Sequence, residues 1–156
     1  NAKAVCKILN SKNACMINDF DIIIDCTANN EVLKILSQYE NSTKKIFISI
    51  SFGYKANTLF FAYQKTRKFD LKQYHMEFKE KLYDNQKDIE GNQLPWEGIG
   101  CWSPVFPALA PDVQLTASFA TNILKELIEK DIDGKKFYIY EREIDEDGVL
   151  KGFVRV

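Results

Sequence analysis

Glycine is scarce in this sequence, and its few copies are not spaced to build a phosphate-binding loop. The chain has 7 glycines in 156 residues. They form neither G-x-G-x-x-G nor G-x-x-x-x-G-K-[ST], the patterns in which the N–H groups of a tight turn cradle a phosphate. A complete nucleotide site is therefore excluded for this sequence alone. We expect the phosphate-binding half of any such site to lie upstream.

Excess charge and long apolar runs are also missing. The formal net charge of −1 provides no field that attracts nucleic acid or an anionic membrane, so neither is an expected partner. No apolar run approaches the roughly 20 residues that span a bilayer. The single histidine, His75, lies in a charged stretch without the spacing of a catalytic triad, which argues against Ser/His/Asp hydrolysis.

The cysteines lack metal-binding spacing. Cys6, Cys15, Cys26 and Cys101 form no C-x-x-C pair, so a zinc site is not predicted. The chain is long enough to fold without a disulfide, and no secretion signal opens it. We therefore expect reduced thiols in a cytoplasmic protein.

The stretch DIIIDCTANNEVLKIL, residues 21–36, is the most informative feature that is present. Residues 20–26 predict a strand without in-out alternation, as expected when both of its faces are covered. A polar turn follows, and helical spacing resumes over residues 30–39. Strand, turn and helix in this order provide a ligand crevice at the carboxyl end of a parallel strand.

Three polar residues at that turn are candidate ligand-binding residues: Asp25, Thr27 and Asn29. Alternatively, their oxygens satisfy free backbone amides and have only a structural role. Cys26 is expected to pack in the core, since it directly follows a buried strand.

The remaining pattern predicts a mixed α/β arrangement. The five residues between strands 45–51 and 57–63 are too few for a parallel crossover, so this pair should be antiparallel. Strands 20–26 and 45–51 should be parallel neighbours. Further along, the sequence predicts a long helix over 112–130 and a closing hairpin of strands 136–143 and 149–156.

Two segments between these elements have a different composition. Residues 64–93 are rich in charge, and we interpret them as a solvated insertion with a partly exposed helix. Residues 94–111 contain all the prolines and predict an ordered loop. Cys101 lies in this loop ahead of a helix start, a setting that exposes a thiol and lowers its pKa, so it is the candidate catalytic residue. Its alternative role is a buried space-filling residue.

The order of the motifs DIIIDCTANN, ISISFGYKANTLFFAY and GCWSPVFPALAPDVQLTASFATNIL resembles the second half of the ThiF/MoeB/HesA superfamily, in particular its divergent bacterial members. These are adenylating enzymes related to ubiquitin-activating enzymes. The resemblance implies one domain over residues 1–156, the carboxyl half of a ThiF-like adenylation domain, with a Rossmann-like mixed sheet flanked by helices.

The resemblance also implies a function. Family members use ATP and magnesium to adenylate the C-terminus of a ubiquitin-like or sulfur-carrier protein, and many then form a thioester at a cysteine, here Cys101. Adenylation provides the carboxylate with a good leaving group, and a thiolate is a strong nucleophile at neutral pH. Asp25, Thr27 and Asn29 would contact the nucleotide. A homodimer is expected.

One departure from the family signature bears directly on this function. An Asp that helps hold magnesium usually stands between the Thr and the Asn, and here that position is Ala28. Two alternatives therefore stay open beside the activating enzyme. One is a non-catalytic protein-binding module of the same fold. The other is the far half of an NAD-binding domain, which leaves the cysteine loop unexplained.

Overall fold

The computed structural model of the protein describes residues 9–91 and 108–156, and for residues 85–91 it describes the backbone alone. Short 3₁₀ helices at Ala14–Asp19 and Tyr54–Ala56 accompany the main elements. In chain order these are β1 Ile22–Asp25, α1 Asn30–Gln38, β2 Lys45–Phe52, β3 Thr58–Thr66, α2 Leu71–Gly91, α3 Ala110–Glu129, β4 Gly134–Ile144 and β5 Leu150–Arg155.

The five strands form one mixed sheet in the order β1-β2-β3-β4-β5. β1 pairs with β2 in parallel, and every other neighbouring pair is antiparallel. The expected parallel pairing of strands 20–26 and 45–51 is therefore confirmed, as is the antiparallel pairing of 57–63 with its predecessor. The α/β class with a mixed sheet flanked by helices is also confirmed, and it is consistent with a Rossmann-like fold.

Helices cover both faces of the sheet. On one face, α1 and α2 pack on β2 and β3 around a core that includes Leu33, Phe47, Phe60 and Phe78. On the other, α3 packs through Ala120 and Leu127 on the buried side chains Ile48, Leu59, Phe61 and Tyr63. The central strand β3 is buried over residues 58–64, because helices cover both of its faces.

Residues 64–93 are not a solvated insertion over their described part. Gln64 belongs to β3 and is fully buried, and α2 inserts Tyr74 and Phe78 into the core, with Phe69 just ahead of the helix. The helix itself was predicted. Charge density was misleading because Lys72, Glu77, Lys79 and Glu80 of α2 are exposed while Tyr74 and Phe78 face the sheet.

The closing hairpin is confirmed. β4 and β5 flank a turn in which the Asp145 carboxylate accepts hydrogen bonds from the backbone N–H groups of Asp147 (3.1 Å) and Val149 (2.8 Å). Gly148 adopts φ +83°, a conformation that glycine enters without strain.

Two features are absent from the described residues, a membrane-spanning helix and a metal-binding cluster. None of their helices is long and apolar enough to cross a membrane. Within the same residues, no cluster of histidine, cysteine or acidic side chains is arranged to hold a metal ion.

Candidate functional site

The carboxyl ends of β1, β2 and β4 lie at the same edge of the sheet, which follows from the strand directions. Asp25 ends β1 and is paired in register with Ser49 of β2. In open α/β sheets, ligands bind in the crevice outside such carboxyl ends. This edge is therefore the candidate site, and we call it the carboxyl edge.

Asp25 is buried, with 4% of its surface exposed. Its Oδ1 atom accepts hydrogen bonds from the backbone N–H of Thr27 at 3.1 Å and from the Thr27 hydroxyl at 2.6 Å. Its Oδ2 atom lies 3.4 Å from the hydroxyl of Ser49. Both carboxylate oxygens are thus held by neutral donors.

The other two predicted residues continue this chain of hydrogen bonds. The Thr27 hydroxyl accepts from the backbone N–H of Asn29 at 3.2 Å. The side-chain oxygen of Asn29 accepts from the backbone N–H of Glu31 at 2.8 Å and caps α1. The structure therefore brings Asp25, Thr27 and Asn29 together, and each orders the next part of the turn.

Magnesium does not fit the donors at this turn. Ala28 carries no ligand atom, and the oxygens of Asp25 and Asn29 already accept hydrogen bonds from the protein. Ala28 also adopts φ +51°, a left-handed conformation that alanine tolerates poorly and that Asp or Asn tolerates better. The backbone at position 28 thus has a conformation that would suit an Asp, but the residue there is Ala.

The structure adds a residue that the sequence did not indicate. α2 buries Tyr74 in the core cluster that also contains Phe47 of β2, on the face of that strand that carries Ser49 and Ser51. Burial raises the pKa of the Tyr74 phenol above its usual value. The charge of Asp25 adds to this increase, whereas hydrogen bonds from the two serines oppose it. The i, i+2 spacing of Ser49 and Ser51 in KIFISIS was the one signal in the sequence for a polar strip on this face.

Cys101 lies outside the described residues, but the elements on both sides of residues 92–107 are described. α2 runs towards the carboxyl edge, where Lys81 forms an ion pair with Glu141 near the end of β4. α3 begins at the same edge, where Arg142 lies 2.8 Å from Asp112 in its first turn. The middle of α2 and the start of α3 therefore lie at the edge that carries Asp25.

The prediction that Cys26 packs in the core is wrong. Cys26 was expected in the core but is exposed. Side chains alternate across a strand, so the inward direction of Asp25 turns Cys26 outward. Cys15 is also exposed, in the first 3₁₀ helix.

A polar pocket of about 360 Å³ lies at the same edge, between α2 and the ends of β3 and β4. Its lining includes both partners of the Lys81–Glu141 pair and Arg142. These charges are paired within the protein, so the pocket has no large excess of either sign.

The fold and this edge together define a Rossmann-like α/β domain with polar side chains at the carboxyl ends of its parallel strand pair. No known protein-family model matches the sequence. The chain is similar to the ATP-dependent ubiquitin transferase-like protein Cap2 of Enterobacter hormaechei subsp. hoffmannii (strain UCI 50), with 35% identity over 112 residues. This region is 72% of the chain and 18% of that protein's length. The similarity supports a ubiquitin-activating-like family.

Proposed function

We propose that this chain is part of an ATP-dependent activating enzyme that adenylates the C-terminus of a ubiquitin-like or sulfur-carrier protein. The similarity to a protein named an ATP-dependent ubiquitin transferase-like protein supports the ubiquitin-like branch of this class. ATP and magnesium would act in a longer form of the protein, because these residues contain no phosphate loop and their turn does not fit the metal.

One observation carries the proposal. The start of α3, which follows residues 92–107, lies at the carboxyl edge, where Asp112 pairs with Arg142. The middle of α2, which precedes those residues, lies at the same edge, where Lys81 pairs with Glu141. We infer that the Cys101 thiol, which precedes α3 in the chain, acts at the edge where an adenylate would form. Holding two reacting groups on one scaffold makes their reaction effectively intramolecular.

Within this proposal each residue has a stated role. Asp25 and Thr27 order the turn, and Asn29 presents its side chain at the start of α1 beside the crevice. Cys101, as thiolate, attacks the acyl carbon of the carrier adenylate. A carbon–sulfur bond forms, the bond to AMP breaks, and AMP leaves with the electron pair.

The test uses the longest natural form of the protein, incubated with ATP and small β-grasp carrier proteins. Intact-mass spectrometry should detect a carrier adduct that thiol reagents remove. Cys101→Ala should abolish the adduct, and Cys101→Ser should give at most an ester that resists thiol reagents. Adenylate formation should survive in both variants.

Two matched variants sharpen the assignment. Cys15→Ser replaces an exposed thiol in the 3₁₀ helix that precedes β1, away from the carboxyl edge, and should leave the adduct unchanged. Cys26→Ser replaces an exposed thiol next to Asp25 and should also leave it unchanged. An adduct that persists in Cys101→Ala and disappears in Cys26→Ser would move the acceptor role to Cys26.

A second candidate function is a non-catalytic binding module of the same fold. The observation that favours it is the turn itself, where the side chain of Ala28 provides no ligand atom and both oxygens of Asp25 accept hydrogen bonds from the protein. This function predicts carrier binding without any ATP-dependent adduct in the longest natural form. Neither the described structure nor the relative's name favours the NAD-binding alternative.

A further inference from the structure

The side of α2 opposite its buried Tyr74 and Phe78 exposes large apolar side chains. Met76 is 67% exposed, Tyr83 59% and Leu82 36%. They belong to an open groove of about 590 Å³ that is lined by Lys72, His75, Met76, Lys79, Leu82 and Tyr83. Spacings of three and four residues place these side chains along one side of the helix, and we call the lining residues of this groove the outer stripe.

The two lysines of the outer stripe have apolar and aromatic side chains as their helix neighbours. A solvated helix gains stability when Lys and Glu lie three or four residues apart and form ion pairs. At those distances within the helix, the neighbours of Lys79 are His75, Met76, Leu82 and Tyr83. Among the described residues neither Lys72 nor Lys79 forms an ion pair. Pairing along the helix therefore does not account for these cations.

The positive charge continues at the start of α2. Arg67 and Lys68 lie just before the helix, and both are exposed. With Lys72 they line a second groove of about 500 Å³, which adjoins the outer stripe because the two grooves share Lys72. Within the part of the chain that the structure describes, neither Arg67 nor Lys68 forms an ion pair. The unpaired cations of this surface are thus Arg67, Lys68, Lys72 and Lys79.

The acids near this surface do not balance its charge. Asp70 lines the second groove, but its carboxylate is already paired with Lys135 at 2.6 Å. Glu40 also lines the second groove, whereas no acid among the described residues lines the first. Glu77 and Glu80 of α2 line neither groove. The surface therefore keeps an excess of positive charge on a chain whose formal net charge is −1.

The position of Lys72 is unfavourable for α2 itself. Lys72 is the second residue of the helix, which begins at Leu71. The N-terminus of a helix carries a partial positive charge, so an acid there stabilises the helix and a cation does not. Lys72 therefore adds to the positive potential at this end of α2 without stabilising the helix.

We propose that Arg67, Lys68 and the outer stripe form a docking surface for another protein, which presents an acidic segment with large apolar side chains. The acids of this segment complement the unpaired cations. Its apolar side chains pack on Met76 and Tyr83, whose exposure is otherwise a cost. Methionine suits this role because its unbranched side chain adapts to the shape of a partner.

The observations favour a protein over other anionic partners. A chain with a net charge of −1 has no long-range attraction for a nucleic acid or an anionic membrane. A short acidic segment needs only the local cations, and its apolar side chains use the rest of the stripe. The docking surface does not depend on the proposed function, since it needs neither the nucleotide nor the carboxyl edge.

The first test titrates the full chain with a short synthetic peptide of Asp, Glu, Leu and Phe and follows the backbone by ¹H–¹⁵N NMR. Signals of residues 67–83 should shift, and those of β5 should not. Raising NaCl from about 0.05 M to about 0.3 M should weaken binding, because salt screens exposed charges. A peptide that shifts no signal of residues 67–83 would overturn the proposal.

Two altered peptides separate the charged and apolar contributions. One has Asn and Gln in place of the acids, and the other has Ser in place of Leu and Phe. Each lacks half of the proposed chemistry and should bind about tenfold more weakly than the parent peptide. Phosphatidylserine vesicles or single-stranded RNA that bind the stripe more tightly than the parent peptide would identify another class of partner and overturn the proposal.

The second test changes the charge of the protein. Lys79→Glu should weaken peptide binding by about 3- to 10-fold. Lys136→Glu is the matched control, because it makes the same change at an exposed lysine of β4, on the face of the sheet that carries Tyr138 and Tyr140 under α3. It should change binding by less than about twofold. Equal losses in the two variants would assign the binding to net charge and overturn the docking surface.

The apolar contribution has its own pair of variants. Met76→Ala should weaken peptide binding by about 3- to 10-fold, because it removes an apolar side chain from the contact. Val149→Ala is the matched control, an exposed apolar residue next to the turn between β4 and β5, and it should have no effect. Unchanged binding in Met76→Ala would contradict the apolar part of the surface.

Lys72→Glu distinguishes a binding role from a structural one. It replaces a cation in the first turn of α2 by an acid, so the midpoint of thermal unfolding should stay unchanged or rise. Binding of the acidic peptide should nevertheless weaken by about 3- to 10-fold. A lower unfolding midpoint with unchanged binding would make Lys72 a structural residue and contradict its place in the docking surface.

Discussion

The guanidinium of Arg142 lies 2.8 Å from the carboxylate of Asp112, and this ion pair joins the end of β4 to the first turn of α3. The Arg142 side chain is 10% exposed and that of Asp112 is 26% exposed. In addition, Nε of Arg142 is buried without a hydrogen-bond partner among the described residues. The arginine therefore depends on Asp112 for its charge compensation.

Asp112→Asn should lower the free energy of unfolding by about 1–3 kcal/mol, because it leaves a largely buried guanidinium without its counter-charge. Urea denaturation measures the change. Asp133→Asn is the matched control, since its pair with Lys44 is exposed on both sides and its loss should be clearly smaller. Equal losses in the two variants would show that burial does not set the strength of the Arg142 pair.

α3 offers a second matched comparison. The hydroxyl of Thr116 is buried and donates to the carbonyl of Ala56 at 3.0 Å, whereas that of Thr121 is exposed and bonds within the helix at 2.8 Å. Thr116→Val should cost about 1–2 kcal/mol because the Ala56 carbonyl loses its donor, and Thr121→Val should cost less than about 0.5 kcal/mol. Thermal unfolding of both variants checks this, and a Thr121→Val loss as large as that of Thr116→Val would contradict it.

The third prediction concerns the left-handed backbone conformation of Ala28 and its effect on stability. Ala28→Gly should stabilise the protein by about 0.5–1 kcal/mol, because glycine adopts φ +51° without strain. Ala28→Asp should fold at least as well as wild type, whereas Ala28→Val should be destabilised. Denaturant titrations compare the three variants, and a Val variant as stable as the Gly variant would mean that the turn relaxes out of this conformation.

The sequence predicted the elements whose patterns are local. The apolar run before Asp25 and the helical spacing after Asn30 located β1 and α1, since each depends on a few neighbouring side chains. The short connection between β2 and β3 was enough to give their antiparallel direction.

Other features depend on packing that the sequence does not encode locally. Tyr74 is buried against the sheet only because α2 crosses it at one particular register, and no pattern in residues 64–93 sets that register. The charged composition of this segment predicted a solvated insertion, although its Phe78 is fully buried. At the turn, the sequence located Asp25, Thr27 and Asn29 but could not show that they bond to one another.

The buried tyrosines predict how stability depends on pH. Burial raises the pKa of Tyr63, Tyr74 and Tyr140 above the ordinary value. Above about pH 10 the unfolded chain releases phenolic protons that the folded chain still holds, so the free energy of unfolding should fall as the pH rises further. Urea titrations between about pH 8 and about pH 11 measure this loss. Tyr74→Phe should make it shallower, and an unchanged slope would contradict the contribution of Tyr74.

The last prediction concerns β1, the edge strand of the sheet. Residues 20–26 were expected to be covered on both faces, but only Ile23 packs on the core, while Ile22 and Ile24 are 36% and 49% exposed. Phe20, 57% exposed, lines an adjoining apolar groove of about 250 Å³ with Ile22. An unpaired strand edge with apolar side chains favours pairing with another chain.

We therefore expect the chain to self-associate through β1 at high concentration. Ile24→Lys places a charge on this edge and should shift sedimentation and light scattering towards the monomer. Val149→Lys is the matched control, because it places the same charge on an aliphatic residue, 60% exposed, next to the turn between β4 and β5. It should leave the association unchanged. A wild-type chain that remains monomeric at crystallisation concentrations would refute the prediction, and equal effects of both variants would assign the association to net charge rather than to β1.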